Sequence, residues 1–113
     1  MEPVTKVLLL DDEGERFFGE GPYRLLCAVE TEGSLRAAAA SMGMAYTKAL
    51  RLVRHAEEAL GFPLTQRTTG GRDGGGSRLT PRGKEFLDKY AAYREQCTQA
   101  CRGIYCQIFG DQR

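Results

Sequence analysis

Apolar residues recur along this chain at two spacings, and the first, near the amino terminus, is typical of extended strands. Val4–Leu10 and Arg16–Phe18 are short stretches rich in apolar residues that flank an acidic turn ending at Gly14. Turn residues between two such stretches favour a hairpin. We therefore predict a β-hairpin within residues 1–20.

The second spacing, in which apolar residues recur every three or four positions, predicts three helices within residues 21–60. The first covers Tyr23–Glu32. The second follows Ser34, whose hydroxyl is a good N-cap, and ends near Ser41. The third covers Ala45–Leu60. Its predicted inward positions are Ala49, Leu52, Val53, Ala56 and Leu60.

The corner between the second and third helices is built from small residues. Four consecutive alanines occupy positions 37–40, and Gly43 separates the two helices. Alanine lets two helix backbones approach closely, and glycine adopts the positive φ of a tight turn without steric cost. These residues predict two helices that cross closely at a glycine turn, as in a helix-turn-helix.

After Gly61 the pattern changes to two short strands around a glycine-rich segment. We predict strands at Leu64–Arg67 and Ser77–Leu79, joined by a loop over residues 70–76, so that residues 61–79 form a wing. The loop lacks the lysine and hydroxyl of a phosphate-binding P-loop and leads into a strand rather than a helix. We therefore favour the tip of a wing, with an irregular surface loop as the alternative.

The last predicted element is a long helix over residues 80–108. Thr80 is its N-cap and Pro81 its first helical residue. An apolar stripe follows most of this helix and is too long for one small domain to cover. The simplest cover is the same helix of a second copy in a twofold dimer. The stripe consists of Phe86, Tyr90, Tyr93, Cys97, Cys101, Ile104 and Ile108.

Three of the four cysteines, Cys97, Cys101 and Cys106, lie on this last helix. Thiolates one helical turn apart are able to ligate zinc or an iron–sulfur cluster. Free cysteines are also commonly buried as small apolar side chains. We favour buried, reduced thiols in the helix seam, keep a metal site as the alternative, and predict no metal or other cofactor.

Charge is distributed unevenly over the 113 residues, which we expect to form one domain. Residues 1–33 contain three Lys and Arg against eight Asp and Glu, whereas residues 34–84 contain nine against three. A basic segment that carries a predicted helix pair suits a polyanion such as double-stranded DNA. No apolar run is long enough for a membrane span or a signal peptide, so we expect a cytoplasmic protein without a membrane partner.

Candidate DNA-binding residues lie on the third helix and on the wing. Lys and Arg neutralise phosphates, and Tyr and Thr are able to read base edges. No nucleophile accompanies the single histidine, His55, which we expect to pair with Glu57 or Glu58, so no enzyme is predicted. A winged-helix module that binds another protein is the alternative function. The candidates are Tyr46, Thr47, Lys48, Arg51 and Arg54 on the helix, and Arg67, Arg72 and Arg78 on the wing.

Two segments of the chain resemble the LysR-type winged helix-turn-helix, and within it the amino-terminal domain of molybdate-responsive regulators of the ModE type. They are AVETEGSLRAAAASMGMAYTKALRLVRHAEEALGFPLTQRTTGG and GGGSRLTPRGKEFLDKY. The likeness covers nearly the whole chain. It implies an α+β, mainly α fold: a winged helix-turn-helix with an amino-terminal β-hairpin and a long carboxy-terminal dimerisation helix.

The resemblance also implies a dimeric transcription factor whose third helix enters the major groove while the wing contacts the adjacent minor groove or backbone. Regulators of this type continue into molybdate-binding domains, which this sequence does not contain. We expect sensing to be absent, supplied by a separate sensor protein, or replaced by a feature such as the cysteine cluster. The residues that the resemblance assigns to DNA are Ser34, Ala45, Tyr46, Thr47, Lys48, Arg51, Arg67, Thr68, Thr69 and Arg72.

Overall fold

The computed structural model describes residues 1–68 and 76–110. Within these residues the fold is mainly helical, with two small antiparallel hairpins and a long final helix, which confirms the predicted architecture. The elements are β1 (Leu9–Leu10), β2 (Arg16–Phe18), α1 (Glu20–Glu32), α2 (Leu35–Ser41), α3 (Tyr46–Leu60), β3 (Thr65–Thr68), β4 (Gly76–Leu79) and α4 (Pro81–Phe109).

The amino-terminal hairpin is shorter than predicted. The strand expected over Val4–Leu10 is a strand only at Leu9–Leu10, because its partner β2 contains only three residues. The helix that follows is longer than predicted and begins at Glu20 instead of Tyr23. Pro22 lies in its first turn, where no intrahelical N–H bond is required.

The helix-turn-helix corner has the predicted small residues in contact. Ala38, Ala39 and Ala49 are almost completely buried. Gly43 has a φ of 65°, and the Met44 N–H donates a hydrogen bond of 2.9 Å to the Ala39 carbonyl oxygen. The chain therefore reverses tightly between α2 and α3, and the absence of large side chains allows the two helices to pack closely.

One apolar core lies beneath the three short helices and the first turns of α4. The ring of Phe18 packs edge-on against those of Phe86 and Tyr90, with centroid separations of 4.8 and 4.9 Å. The remaining buried apolar residues are Leu25, Leu26, Val29, Leu35, Ala38, Ala39, Ala49, Val53, Ala56, Leu64, Leu79 and Leu87.

The root of the wing is bound to the corner between α1 and α2. The Ser77 N–H in β4 donates a hydrogen bond of 2.9 Å to the Gly33 carbonyl oxygen. A Cβ atom on Gly76 would lie 2.6 Å from the same oxygen, so only glycine allows this approach. The wing is consequently attached to the helices at this corner as well as through its two chain connections.

Thr80 caps α4 as predicted and also ties the helix to the segment that precedes β3. Its Oγ1 accepts a hydrogen bond of 2.9 Å from the Gly83 N–H and donates one of 2.7 Å to the Pro63 carbonyl oxygen. The Thr80 N–H donates to the Leu64 carbonyl oxygen at 2.9 Å. These three bonds determine where α4 leaves the core.

Residues 1–8, which we call the arm, lie along α4. The Tyr90 hydroxyl donates a hydrogen bond of 2.8 Å to the Val7 carbonyl oxygen, and the Tyr105 hydroxyl donates one of 3.1 Å to that of Met1. The two tyrosines are separated by about 22 Å of helix, and the arm between Met1 and Val7 spans about 20 Å when extended. The arm therefore runs antiparallel to α4 and accounts for the residues that do not join the hairpin.

Candidate nucleic-acid interface

The amino-terminal half of α3 presents a polar and basic surface. Ala49, Val53 and Ala56 hold one side of the helix in the core, which leaves the opposite side exposed. Thr47 lies on this exposed side. Lys48, Arg51 and Arg54, which we call the basic face, are exposed beside it.

The basic face has unpaired cations. Within residues 1–68 and 76–110, Lys48, Arg51 and Arg54 form no ion pair with a carboxylate. By contrast, Lys89 and Arg94 on α4 pair with Glu85 and Glu20 at 3.0 and 2.7 Å. The charges on α3 are therefore available to a polyanion without first breaking an internal pair.

Tyr46, Ala45 and Ser34 lie at the amino-terminal ends of the two helices. Tyr46 is half-buried and packs partly against the core, at the border of the exposed side of α3. Ala45 is exposed and is the N-cap of α3, without a side-chain hydrogen bond. The Ser34 Oγ accepts a hydrogen bond of 3.0 Å from the Ala37 N–H, which confirms its predicted role as the N-cap of α2.

The two described wing arginines do not share a face of the wing. Arg67 lies opposite Ser77 in the ribbon, on the same face as the buried Leu79, whereas Arg78 lies opposite Gln66 on the other face. Both arginines are exposed, and Thr68 is half-buried. Thr69 and Arg72, which were also predicted to contact DNA, lie outside the described residues.

The predicted dimerisation stripe on α4 divides into two parts. Tyr90 belongs to the core of the single chain and is only 3% exposed, and Phe86 packs against the same core. Tyr90 was predicted to lie in the dimer interface but is buried within the single chain, because Phe18 and the arm cover this part of the helix, whereas Phe86 is half-buried. Further along, Cys97 and Cys101 are half-buried, and the rest of the stripe is exposed: Tyr93 at 56%, Ile104 at 53% and Ile108 at 71%.

The remaining titratable candidates, His55 and the cysteines of the last helix, lie on different elements, α3 and α4. His55 lies beside Asp11 of the hairpin turn, with 3.8 Å between Nε2 and Oδ2, and among the described residues it forms no ion pair with Glu57 or Glu58, the predicted partners. The Glu57 carboxylate instead accepts a hydrogen bond of 2.7 Å from the Leu64 N–H. Cys106 is exposed, and no group of three or more His, Cys, Asp and Glu residues in the described part of the chain is placed to hold a metal ion.

One basic residue of this surface was missed by the sequence analysis. Arg36 on α2 lies over the ring of Tyr46, with 4.1 Å between the guanidinium carbon and the ring centroid. The available sequence signal was an arginine two residues after the predicted N-cap Ser34, but this position does not by itself indicate a contact with α3. The contact depends on how the two helices cross.

The family of the chain follows from its middle segment. Residues 22–84 match the bacterial regulatory helix-turn-helix proteins of the lysR family. This span is more than half of the chain and runs from α1 into the first turn of α4. The chain belongs to the lysR family. The match confirms the LysR-type resemblance and includes α2, α3 and both strands of the wing.

Curated relatives of this lysR-family chain include two proteins named molybdenum transport protein ModE. The one from Herbaspirillum seropedicae is 36% identical over 100 residues, which are 82% of this chain and 34% of the relative. The one from Azotobacter vinelandii is 38% identical over 83 residues, which are 74% of this chain and 31% of the relative. The chain thus spans about a third of the length of these relatives.

A solved structure shares the fold and contains DNA. The BenM DNA-binding domain, determined in complex with benA site 1 DNA, has a TM-score of 0.54 and 26% sequence identity to this chain. The match covers 81% of this chain and 97% of that domain. Together with the family match, it confirms the predicted winged-helix fold. No helix within residues 1–68 and 76–110 is both long and apolar enough to cross a membrane.

Proposed function

We propose that this chain is a sequence-specific DNA-binding regulator of transcription, that it acts in the cytoplasm as a homodimer on double-stranded DNA, and that it has no enzymatic activity. We assign it to the ModE type, because two relatives carry that name. The chain spans about a third of the length of these relatives, so our proposal for this chain does not include the molybdenum transport in their names.

The observation that carries the proposal is the basic face of α3. Lys48, Arg51 and Arg54 project from a helix whose other side is held in the core, and they have no carboxylate partner in the described residues. The wing adds exposed Arg67 and Arg78, and its root is fixed to the same helical unit. A rigid helix with free cations and an adjoining basic ribbon suits phosphates on both sides of a groove.

The homodimer is supported by the exposed part of the α4 stripe. Tyr93, Ile104 and Ile108 lie on one side of a helix that extends well beyond the core. Burying such side chains is favourable, and the same helix of a second copy offers a surface of the same length. A twofold dimer would present two α3 helices to two half-sites of a palindromic duplex.

The proposal is tested by selecting duplexes from a random-sequence pool with the unmodified protein and measuring their affinity by fluorescence anisotropy between about 50 and 200 mM salt. We expect a selected consensus and a log affinity that falls steeply with log salt. Arg51→Ala should weaken binding and reduce the salt slope by about 1 if Arg51 contacts a phosphate, or relax the preference at one base pair if it reads a base.

The matched control for this experiment is Arg102→Ala, which removes an exposed arginine from the distal part of α4 and should leave DNA binding unchanged. No selection, or an affinity indifferent to both salt and Arg51, would contradict the proposal and favour the alternative of a protein-binding winged helix.

A further inference from the structure

Arg36 and Tyr46 form a stacked pair at the edge of the proposed DNA surface. Arg36 is the second residue of α2 and Tyr46 the first of α3, so each lies at the start of one of the two helices of the helix-turn-helix. The guanidinium carbon is 4.1 Å from the ring centroid. An arginine at this distance is attracted by the negative face of the aromatic ring.

The stack restricts Tyr46 from both sides. Tyr46 is half-buried and packs partly against the core, while Arg36 is exposed and covers the ring face. The Tyr46 hydroxyl makes no hydrogen bond to any described residue, so it remains available to an external acceptor or donor. A side chain held in this way has little conformational entropy left to lose when it binds.

The guanidinium of Arg36 is itself uncommitted. In the described part of the chain it makes neither an ion pair nor a hydrogen bond, and it lies over the ring of Tyr46. Stacking uses the flat face of the guanidinium and leaves the N–H groups at its edge free. The pair therefore combines a restrained ring with a cation that has no acceptor among the described residues.

We propose that Arg36 is a positioning residue for DNA recognition: it holds the Tyr46 ring in place to read a base edge and binds a backbone phosphate with its free N–H groups. This inference rests on the proposed DNA-binding function and gives Arg36 a role within the DNA-binding surface. The planar stack orients the ring, and the positive charge contributes to phosphate binding. Because the two contributions depend on different properties of arginine, they are separable by substitution.

The experiment uses the duplex selected by the unmodified protein, a set of variants with single base pairs changed, and an unselected duplex of equal length. Arg36→Ala should weaken binding to the selected duplex, reduce the salt slope by about 1, and lower discrimination at one base pair by about tenfold. Arg36→Lys keeps the charge but not the planar stack, so it should retain the salt slope and still lose the discrimination.

A double variant tests whether Arg36 acts through Tyr46. Tyr46→Ala should lose discrimination at the same base pair, and adding Arg36→Ala should cause no further loss there, because residues that act as one unit are not additive. Thermal unfolding of each variant, followed by circular dichroism, checks that the helices remain folded at the temperature of the assay.

The outcomes separate the inference from the function on which it rests. If Arg36→Ala weakens all duplexes equally and leaves discrimination intact, Arg36 binds phosphate only and the positioning role is wrong. If Arg36→Ala behaves like the Arg102→Ala control, both roles are wrong although DNA binding stands. If the unmodified protein selects no duplex, the proposed function itself has failed.

Discussion

At the scale of single residues, two glycines of α4 lie in opposite surroundings. Gly83 is buried in the first turn, where an added Cβ would clash with the carbonyl oxygen of Leu64. The Leu64 backbone is held in turn by hydrogen bonds to Thr80 and to the Glu57 carboxylate, so it cannot move aside easily. Gly103 is exposed, and apart from its chain neighbours and the backbone of its own helix no atom lies within 4 Å of the position of an added Cβ.

Alanine should therefore have opposite effects at the two positions. Gly83→Ala should lower the free energy of unfolding by about 1–3 kcal/mol, the usual cost of overpacking. Gly103→Ala, the matched control, should raise it by roughly 0.5–1 kcal/mol, because alanine has the higher helix propensity. Urea unfolding followed by circular dichroism measures both. If both substitutions changed the free energy of unfolding in the same direction, the clash of an added Cβ at Gly83 with the Leu64 carbonyl oxygen would be contradicted.

At the scale of elements, the arm and α4 depend on each other through Tyr90. Burial raises the pKa of the Tyr90 phenol above its ordinary value of 10.0; the negative charge of Glu20 also raises it, while Arg94 acts in the opposite direction. The neutral phenol donates to the Val7 carbonyl oxygen, whereas a phenolate has no proton to donate. Because the folded-state pKa is raised, this contribution to stability is complete below pH 10 and is lost as the pH rises through that pKa.

Replacing the phenol by a phenyl ring should isolate this contribution. Tyr90→Phe should lower the free energy of unfolding by about 1 kcal/mol at neutral pH, the usual net worth of one hydrogen bond. It should also reduce the loss of stability above pH 10, although Tyr23, whose pKa is likewise raised by burial, continues to contribute there. Urea unfolding at several alkaline pH values measures the difference from the unmodified protein.

Release of the arm gives an independent measurement of the same contact. Trypsin cleaves the peptide bond between Lys6 and Val7. This bond adjoins the Val7 carbonyl group, which accepts the hydrogen bond from Tyr90. Cleavage there should be faster in Tyr90→Phe than in the unmodified protein, because the arm opens more often. Equal cleavage rates would show that the Tyr90 hydroxyl does not hold the arm.

At the scale of the whole molecule, the exposed side chains of α4 determine the predicted assembly. Tyr93→Asp places a charge within the proposed dimer interface, where it would lack a partner, so the protein should sediment as a monomer and bind a palindromic duplex more weakly. Ala92→Asp, the matched control, adds the same charge about 100° around the helix and should leave the dimer intact. A monomeric unmodified protein at micromolar concentration would contradict the dimer.

Much of the fold could be predicted because its signals act over a few residues. Ser34 and Thr80 cap the helices that follow them, Gly43 makes the turn between α2 and α3, and the spacing of alanines identifies the buried side of α3. The exposed basic face followed from the same periodicity. The length of β1 and the start of α1 were predicted less well, since a strand needs a partner and Pro22 is tolerated inside a first helical turn.

The residue pattern alone was therefore enough to predict the order of the elements, their caps and turns, and which side of α3 is polar and basic, because these depend on neighbours within one or two turns. Only the tertiary structure decided that Tyr90 is buried while Tyr93 is free, that the arm lies on α4, and that Arg36 stacks on Tyr46. Each of these depends on how separate elements meet in space, and a pattern along one helix contains no information about the segment that packs against it.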